Sequence, residues 1–281
     1  MLLNPRQIEY RPHEQLRQHY EVEVRLADQL RAATREQRRS LYGSLYNELY
    51  QLVPHHPQLT RKLSADLTRD AVAPQLRLIR PFLRPDATVL EIGPGDCALS
   101  LAVAKQVRQV YGLDVSDEIT HRALLPSNFK LILSDGTSVP LPPDSVDVAY
   151  SNQLMEHLHP DDAREQLEGV WRALRPGGMY ICITPNRLNG PHDVSQYFDL
   201  VARGFHLKEY TVGELRWLLR QVGFRKVESL LGRHGACIRV PIAPALACEA
   251  TLALLPPKAM RCLALTAPFR AVLGVRVVAT K

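Results

Sequence analysis

An α/β fold built on a largely parallel sheet and preceded by a helical extension is predicted by three observations. From Leu76 onward, short β-prone runs alternate with helix-forming segments. A glycine turn, Gly93-Pro94-Gly95, directly follows the first of those runs. The stretch from about His13 to Tyr50 has no glycine before Gly43 and is rich in Leu, Arg, Glu, Gln and Ala. Strands alternating with helices at this spacing form right-handed βαβ units and hence a parallel sheet. The residues that dominate the first segment are strong helix formers.

Within that first segment Tyr42, Tyr46 and Tyr50 recur every four residues and share one helical face. Such a stripe is either an aromatic wall over a ligand or a packing face, and apolar stripes ordinarily mean core, so packing against the main domain is expected. Pro54 and Pro57 end the segment with His55 and His56 between them. Adjacent histidines can bind metal, but no third ligand is near, and a surface loop is expected. Leu76–Leu83 reads as a helix, Thr88–Ile92 as a short buried strand, Leu99–Val107 as a helix and Val110–Leu113 as a strand. Phe129–Leu133 and Val146–Tyr150 are the next strands. A helix over Asp161–Leu174 closes at Arg175-Pro176-Gly177-Gly178, ahead of the strand Met179–Thr184. Thr211 with Glu214 forms a capping box that opens a helix running to about Val222. Arg225–Leu230 and Val275–Thr280 are the last strands, and the long Pro-, Ala- and Leu-rich stretch between them exceeds a plain loop. The expected organisation is a helical extension or cap over 1–74 and a main domain over 75–281, with an apolar, basic insertion at 233–273.

A chain of 281 residues, 46% hydrophobic and 23% charged, can bury a substantial core, which excludes disordered and fibrous classes. Its net charge of +6 divides unevenly: +2 over 1–74, −4 over 75–185 and +8 over 186–281. Five cysteines, with no C-x-x-C pair, argue against a disulfide framework and a cysteine-rich zinc site. A reduced, cytoplasmic setting follows as the expectation, and no metal site is expected. Met1-Leu2-Leu3-Asn4-Pro5-Arg6 reaches charge before a signal core can form. The most apolar stretch, about 236–255, is interrupted by Arg239, Pro241, Pro244 and Glu249, so no transmembrane segment is expected. Peripheral membrane contact stays open.

Glu91-Ile92-Gly93-Pro94-Gly95-Asp96-Cys97-Ala98 follows the first strand and leads into a helix. Glycines there let the backbone turn tightly and a ligand approach the main chain. Gly93, Gly95 and Ala98 also match a dinucleotide fingerprint. A pyrophosphate at that helix start would meet two like charges, Glu91 and Asp96, whereas a cationic ligand would be attracted. Asp114 ends the second strand, about 20 residues after the glycines, where a ribose diol is held whichever nucleoside binds. Asp135 follows the third strand and can accept a hydrogen bond from an exocyclic amine such as that of adenine. Either aspartate by itself serves equally well as a turn or cap residue. Acidic residues at successive strand ends after a glycine loop point instead to a ligand, because open α/β sheets bind ligands there.

These residues resemble the class I S-adenosylmethionine-dependent methyltransferases over roughly residues 75–230. The resemblance rests on Glu91-Ile92-Gly93-Pro94-Gly95, Asp114, Asp135, the run Val146-Asp147-Val148-Ala149-Tyr150-Ser151-Asn152 with Glu156-His157, and Leu174-Arg175-Pro176-Gly177-Gly178. It implies a Rossmann-like seven-stranded sheet of order 3-2-1-4-5-7-6, whose antiparallel last strand is Val275–Thr280, with the insertion between strands six and seven. It also implies S-adenosylmethionine as cofactor: the glycine loop at the methionyl part, Asp114 at the ribose hydroxyls and Asp135 near the adenine amine. Glu91, Gly93, Gly95, Asp114, Val115, Asp135, Gly136 and Asn152 make up the expected cofactor-binding set. Cys97 departs from the pattern, standing where many members have a third glycine; a small side chain should fit.

Methyl transfer from a sulfonium is an in-line displacement, so alignment is the main task, and an alcohol acceptor additionally needs proton removal. His157, after the fourth strand, is the leading base candidate. His192, beside Asp193, and His206, near Glu209, lie in the connection after strand five and are the other catalytic candidates. Each has a plainer alternative: packing or hydrogen bonding beside the cofactor for His157, and satisfying loop backbone for the other two. No Asn/Asp-Pro-Pro-aromatic element follows the fourth strand, and no cysteine sits where cytosine C5 methyltransferases use one. Thr184-Pro185-Asn186-Arg187 and the region from His206 to Leu219 resemble bacterial small-molecule, lipid or sugar O-methyltransferases, which implies an acceptor of that kind. Three rivals stand beside this reading. An RNA methyltransferase is motivated by 28 arginines, but no appended RNA-binding motif or basic–aromatic run accompanies them, so nucleic acid is disfavoured as a partner. An NAD-dependent oxidoreductase is opposed by Glu91 and Asp96, and a non-catalytic S-adenosylmethionine-binding protein is the third. The charge division fits an acidic cofactor half and a basic half that receives an anionic or lipid-like acceptor, or rests on an acidic membrane surface.

Overall fold

The computed structural model describes residues 11–57, 59, 65–116, 125–233 and 236–281, so the Met1–Arg6 run that bears on targeting lies outside the described residues. Helices α1 (His13–Ala32) and α2 (Arg35–Leu52) pack against each other ahead of the sheet. The helical stretch divides at Thr34, whose hydroxyl accepts the Gln37 N–H while the Gln37 side chain accepts the Thr34 N–H. This T-x-x-Q capping box starts a second helix where composition alone shows no break. The Pro54–Pro57 turn differs from the expected surface loop. His56 is buried, with its ring 4.7 Å from that of His19 and 5.3 Å from that of Tyr50.

Helix α3 (Ala65–Ile79) and a 3-10 turn (Arg80–Phe82) lead into β1 (Thr88–Ile92), α4 (Ala98–Ala104), β2 (Gln109–Asp114) and β3 (Phe129–Leu133). Next come β4 (Val146–Asn152), α5 (Pro160–Ala173), β5 (Leu174–Thr184), α6 (Val212–Val222) and β6 (Lys226–Arg233). The chain continues through β7 (Ala236–Pro241), the short helices α7 (Ala243–Ala253), α8 (Pro257–Ala264) and α9 (Ala267–Leu273), and β8 (Val275–Thr280). Strand order is β3-β2-β1-β4-β5-β8-β6-β7. β1 to β5 pair in parallel, and β8 lies antiparallel between β5 and β6. The predicted seven-stranded order holds, with one correction: the sheet has eight strands. The insertion opens with β7, which pairs antiparallel with β6 from Arg233↔Ala236 to Glu228↔Pro241 and adds an edge strand.

β1 is buried along its whole length, as a central parallel strand covered on both faces must be. Leu90, Ala149 and Val277 face a core shared with α2, α5 and α6, while Val89, Val148 and Val278 face one shared with α3 and α4. The insertion helices contribute a small cluster of their own, Leu252, Ala264 and Leu273 against Leu188. Register brings the strand ends level: Ile92 lies opposite Leu113 and Ser151, and Asp114 opposite Leu133. The main cavity opens at that edge.

Candidate active site

The turn after β1 is built by backbone that only glycine adopts without strain. Gly93 and Gly95 have φ of 69° and 56°, and a Cβ on Gly95 would meet nothing within 4 Å, so its main chain is bare toward the cavity. Cys97, with φ 59°, also takes the left-handed conformation, which costs a non-glycine residue about 1–2 kcal/mol. That is the physical content of the departure at this position; the side chain fits, fully buried, at some backbone strain. Asp114 ties the turn to β2. One carboxylate oxygen accepts the Gly95 N–H at 3.0 Å, and the other accepts the Val115 N–H at 2.7 Å.

Glu91 is buried behind the turn and accepts the Ser100 hydroxyl at 2.5 Å. Burial, reinforced by the nearby charges of Asp96 and Asp114, raises its pKa to about 7, although the bond from Ser100 opposes this. Asp135 behaves in the opposite way. Burial would raise it, but N–H and hydroxyl donors of Ser138 and Thr137 at 2.7–3.0 Å bring it down to about 2. Its carboxylate is thus held by its own turn and by Arg39 at 3.5 Å, while its neighbours Ser134 and Gly136 line the cavity. Gly136, with φ 87°, lies so close to the Tyr42 ring that a Cβ would approach it to 2.9 Å.

The cavity has a volume of about 420 Å³ and runs from the glycine turn past Asp114 to His157. Its roof is the tyrosine stripe: Tyr42, Tyr46 and Tyr50 of α2 all line it. Packing and lining are therefore one arrangement here, since Tyr42 is also core. Arg38 holds this helix in place through paired bonds to Asp162 of α5 at 2.6 and 2.7 Å, and the Tyr42 hydroxyl donates to the same carboxylate at 2.6 Å. Burial and the Asp114 charge push the Tyr50 hydroxyl up to about 12. On the opposite side, Gln75 of α3 accepts from Asn152 at 3.1 Å and from Tyr150 at 3.0 Å.

His157 lines the cavity beside Tyr46, with its Nδ1 3.0 Å from the Phe205 carbonyl. Burial and the neighbouring His206 cation lower its pKa to about 3, so the ring is neutral at any ordinary pH. His206 and His192 do not line the cavity; both bond to Glu209, at 2.7 and 3.3 Å. Although burial opposes it, the Glu209 hydrogen bond and the charges of Glu156 and Glu209 raise His206 to about 9. Of the sequence-predicted residues, Glu91, Gly93, Gly95, Asp114, Val115, Gly136, Asn152 and His157 meet in one cavity; Asp135, His192 and His206 stand behind its wall. Asn47, Gln75 and Gln166 line it with no motif to signal them. A cationic nucleoside fits this donor set: a bare main chain, a ring of carboxylates and an aromatic roof.

Residues 90–182 match the family model described as a methyltransferase domain. A relative from Mycolicibacterium smegmatis, named "Probable S-adenosylmethionine-dependent methyltransferase", is 35% identical over 150 residues, 53% of this chain and 56% of its own. A like-named protein of Mycobacterium tuberculosis is 32% identical over 152 residues, 54% of this chain and 53% of its own. The chain thus spans about half the length of the curated relatives it matches. Among solved structures, a methyltransferase of Haloferax volcanii in complex with the Trm112 activator superposes with a TM-score of 0.52 at 16% identity, covering 77% of this chain and 94% of that one. An S-adenosylmethionine-dependent methyltransferase of Mesorhizobium loti does so with a TM-score of 0.50 at 20% identity, covering 75% and 99%. At such identities the structures speak for the fold alone. Residues 90–182 thus match a methyltransferase domain and the relatives over about half of the chain are named S-adenosylmethionine-dependent, which implies S-adenosylmethionine as the cofactor, while the solved structures agree in fold.

Proposed function

We propose that the protein transfers a methyl group from S-adenosylmethionine to an oxygen of a small-molecule, sugar or lipid-like acceptor, and that acidic oxygens are the preferred class. The observation that supports this most is the single cavity joining the glycine turn and Asp114 to His157 beneath Tyr46 and Tyr50. Bound S-adenosylmethionine supplies a sulfonium methyl open to in-line displacement. In this reading Asp114 holds ribose hydroxyls while keeping Gly95 in place, and Glu91 with Asp96 provides the negative field that a cation needs. Asp135 acts by shaping the turn that presents Ser134 and Gly136. Tyr46, Tyr50 and Val72 cover the apolar body of the acceptor.

His157 orients the reacting oxygen. Its Nδ1–H donates to the Phe205 carbonyl, which leaves the Nε2 lone pair for an acceptor hydroxyl. A base with a pKa near 3 removes few protons at neutral pH. Carboxyl, enol and phenol hydroxyls, which can donate to Nε2 and lose their protons more readily than a plain alcohol's, suit such a ring better. The insertion carries exposed Ile238, Leu254 and Leu265 alongside exposed Arg239 and Lys258, which supports a lipid-like acceptor or a membrane-resting face. No observation favours the RNA or NAD readings over this one.

The test is incubation with labelled S-adenosylmethionine and a host extract, followed by mass spectrometry of the labelled product. Acceptors of matched size bearing a carboxyl, phenol or alkyl alcohol are then compared by kcat/KM. Label on nitrogen, carbon or RNA defeats the proposal, and equal turnover of alkyl alcohols defeats the preference for acidic oxygens.

A further inference from the structure

At the cavity wall three side chains from two distant segments converge. Donor atoms of Glu156, His157 and His206 all lie within 4.8 Å of one another, the one such group among the described residues. Glu156 is fully buried; its Oε2 accepts the Thr184 hydroxyl at 2.8 Å, while its Oε1 is buried with no hydrogen-bond partner. An unsatisfied carboxylate oxygen in such a place bears its full desolvation penalty unless something occupies the position beside it.

The two histidines are tied in the manner of metal ligands. Each has its Nδ1 committed, to the Phe205 carbonyl at 3.0 Å for His157 and to Glu209 at 2.7 Å for His206. Ligating histidines characteristically give their second ring nitrogen to a carbonyl or carboxylate, which sets the tautomer and leaves the other nitrogen for the ion. Glu209 is itself positioned, accepting the His192 backbone N–H at 2.7 Å. Binding would displace the proton of His206, and Glu156 and Glu209 would then present two negative charges, which one divalent cation balances.

We propose that Glu156, His157 and His206 form a binding site for one divalent first-row transition-metal ion, such as zinc, cobalt or iron(II). Two imidazoles and one carboxylate select this class over magnesium or calcium, which take oxygen ligands. Ligand bonds of about 2.1 Å would draw the three donors inward from their present spacing. His157 also lines the cavity, so an ion held on its Nε2 would take over from that nitrogen the contact with an acceptor oxygen. That last consequence rests on the proposed reaction; the metal site itself does not.

The experiment is a titration of the full chain, stripped with chelator, with cobalt(II), read by visible d–d absorption and repeated by calorimetry with zinc. One equivalent should bind with absorption bands of nitrogen–oxygen ligation. Glu156→Gln, which keeps the shape and the Thr184 contact, and His157→Ala should each weaken binding by more than about 10-fold. Glu209→Gln should weaken it by about 10–100-fold, the effect of losing a ligand's outer partner. Far-UV circular dichroism establishes that each variant is folded, and His13→Ala serves as an exposed-histidine control that should bind as wild type. No cobalt bands at millimolar metal, or wild-type affinity in folded Glu156→Gln, overturns the site. Cobalt binding that persists in a protein unable to bind S-adenosylmethionine would separate a failed reaction assignment from a failed metal site.

Discussion

Cofactor binding should release a proton from Glu91 and therefore tighten as pH rises through 7. In the free protein Glu91 is 7% exposed, faces the charges of Asp96 and Asp114, accepts from Ser100 and has a pKa of about 7. Its folded pKa is raised, so the neutral carboxyl is favoured in the free protein below pH 7. A sulfonium and an ammonium brought nearby favour the carboxylate and pull that pKa back toward ordinary values. If it falls to about 5 or lower, the dissociation constant at pH 6 exceeds that at pH 8 by about 10-fold, roughly 1.4 kcal/mol. About 0.8–0.9 proton leaves per cofactor bound at pH 6 and about 0.1 at pH 8. Calorimetry in two buffers of different ionisation enthalpy reads both quantities. Glu91→Gln should flatten the pH dependence and weaken binding at pH 8, and it subtracts any titration of the cofactor's own amine. A wild-type dissociation constant that is flat from pH 6 to 8, with no buffer dependence of the enthalpy, would refute the placement of Glu91 beside the positive charge.

Other expectations follow from the same contacts. Asp114→Ala should weaken S-adenosylmethionine binding by about 1–3 kcal/mol, since it removes both a charged acceptor and the anchor of Gly95; an unchanged dissociation constant in folded protein would count against it. Asp162→Ala strands Arg38, whose side chain is only 4% exposed, and should cost about 3–5 kcal/mol in urea unfolding. Asp162 itself is held below the usual carboxylate range: burial opposes this, but Arg38 and Tyr42 outweigh it. Its contribution is therefore present near neutrality and lost as pH falls through that depressed value. Anionic vesicles should co-sediment the protein and neutral ones should not; equal recovery from both would remove the membrane reading of the insertion.

The parallel half of the sheet was readable because its strands are short, apolar and punctuated by glycine and proline, with local signals that agree with tertiary burial. Thr211 and Glu214 form the capping box that their spacing predicts, with bonds of 3.1 and 2.8 Å. The equivalent box at Thr34 escaped notice because Arg35-Glu36-Gln37 continues the composition of the helix before it. β7 was hidden for another reason. Ala236–Pro241 is an edge strand whose pairing depends on β6 folding back, a long-range fact with no local marker.

Within the site, legibility followed the distance in sequence between partners. Glu91, Gly93 and Gly95 announce themselves because one turn holds them. Asp135 follows its strand, where a ligand contact is expected, and the donors of Thr137 and Ser138, two and three residues on, also bond its carboxylate, which its position does not reveal. The tyrosine stripe posed a choice between core and wall that periodicity cannot make. Burial under a helix and exposure to a cavity produce the same four-residue spacing, and Tyr42 does both. His206 stands in the sequence as a catalytic candidate near Glu209, but its approach to Glu156, fifty positions earlier, has no local marker; that carboxylate has one oxygen bonded to Thr184 and one left without a partner. The charge division has the same character. An acidic middle and a basic last third differ in sequence, but the acidic strand ends lie under α2 and the basic residues are spread along the loops, α6, β6 and insertion that follow β5. The negative field therefore acts in a recessed cavity, where it is less screened, while the positive charge sits on solvated surface and weakens as salt rises. Salt should accordingly shift any vesicle binding far more than it shifts cofactor binding.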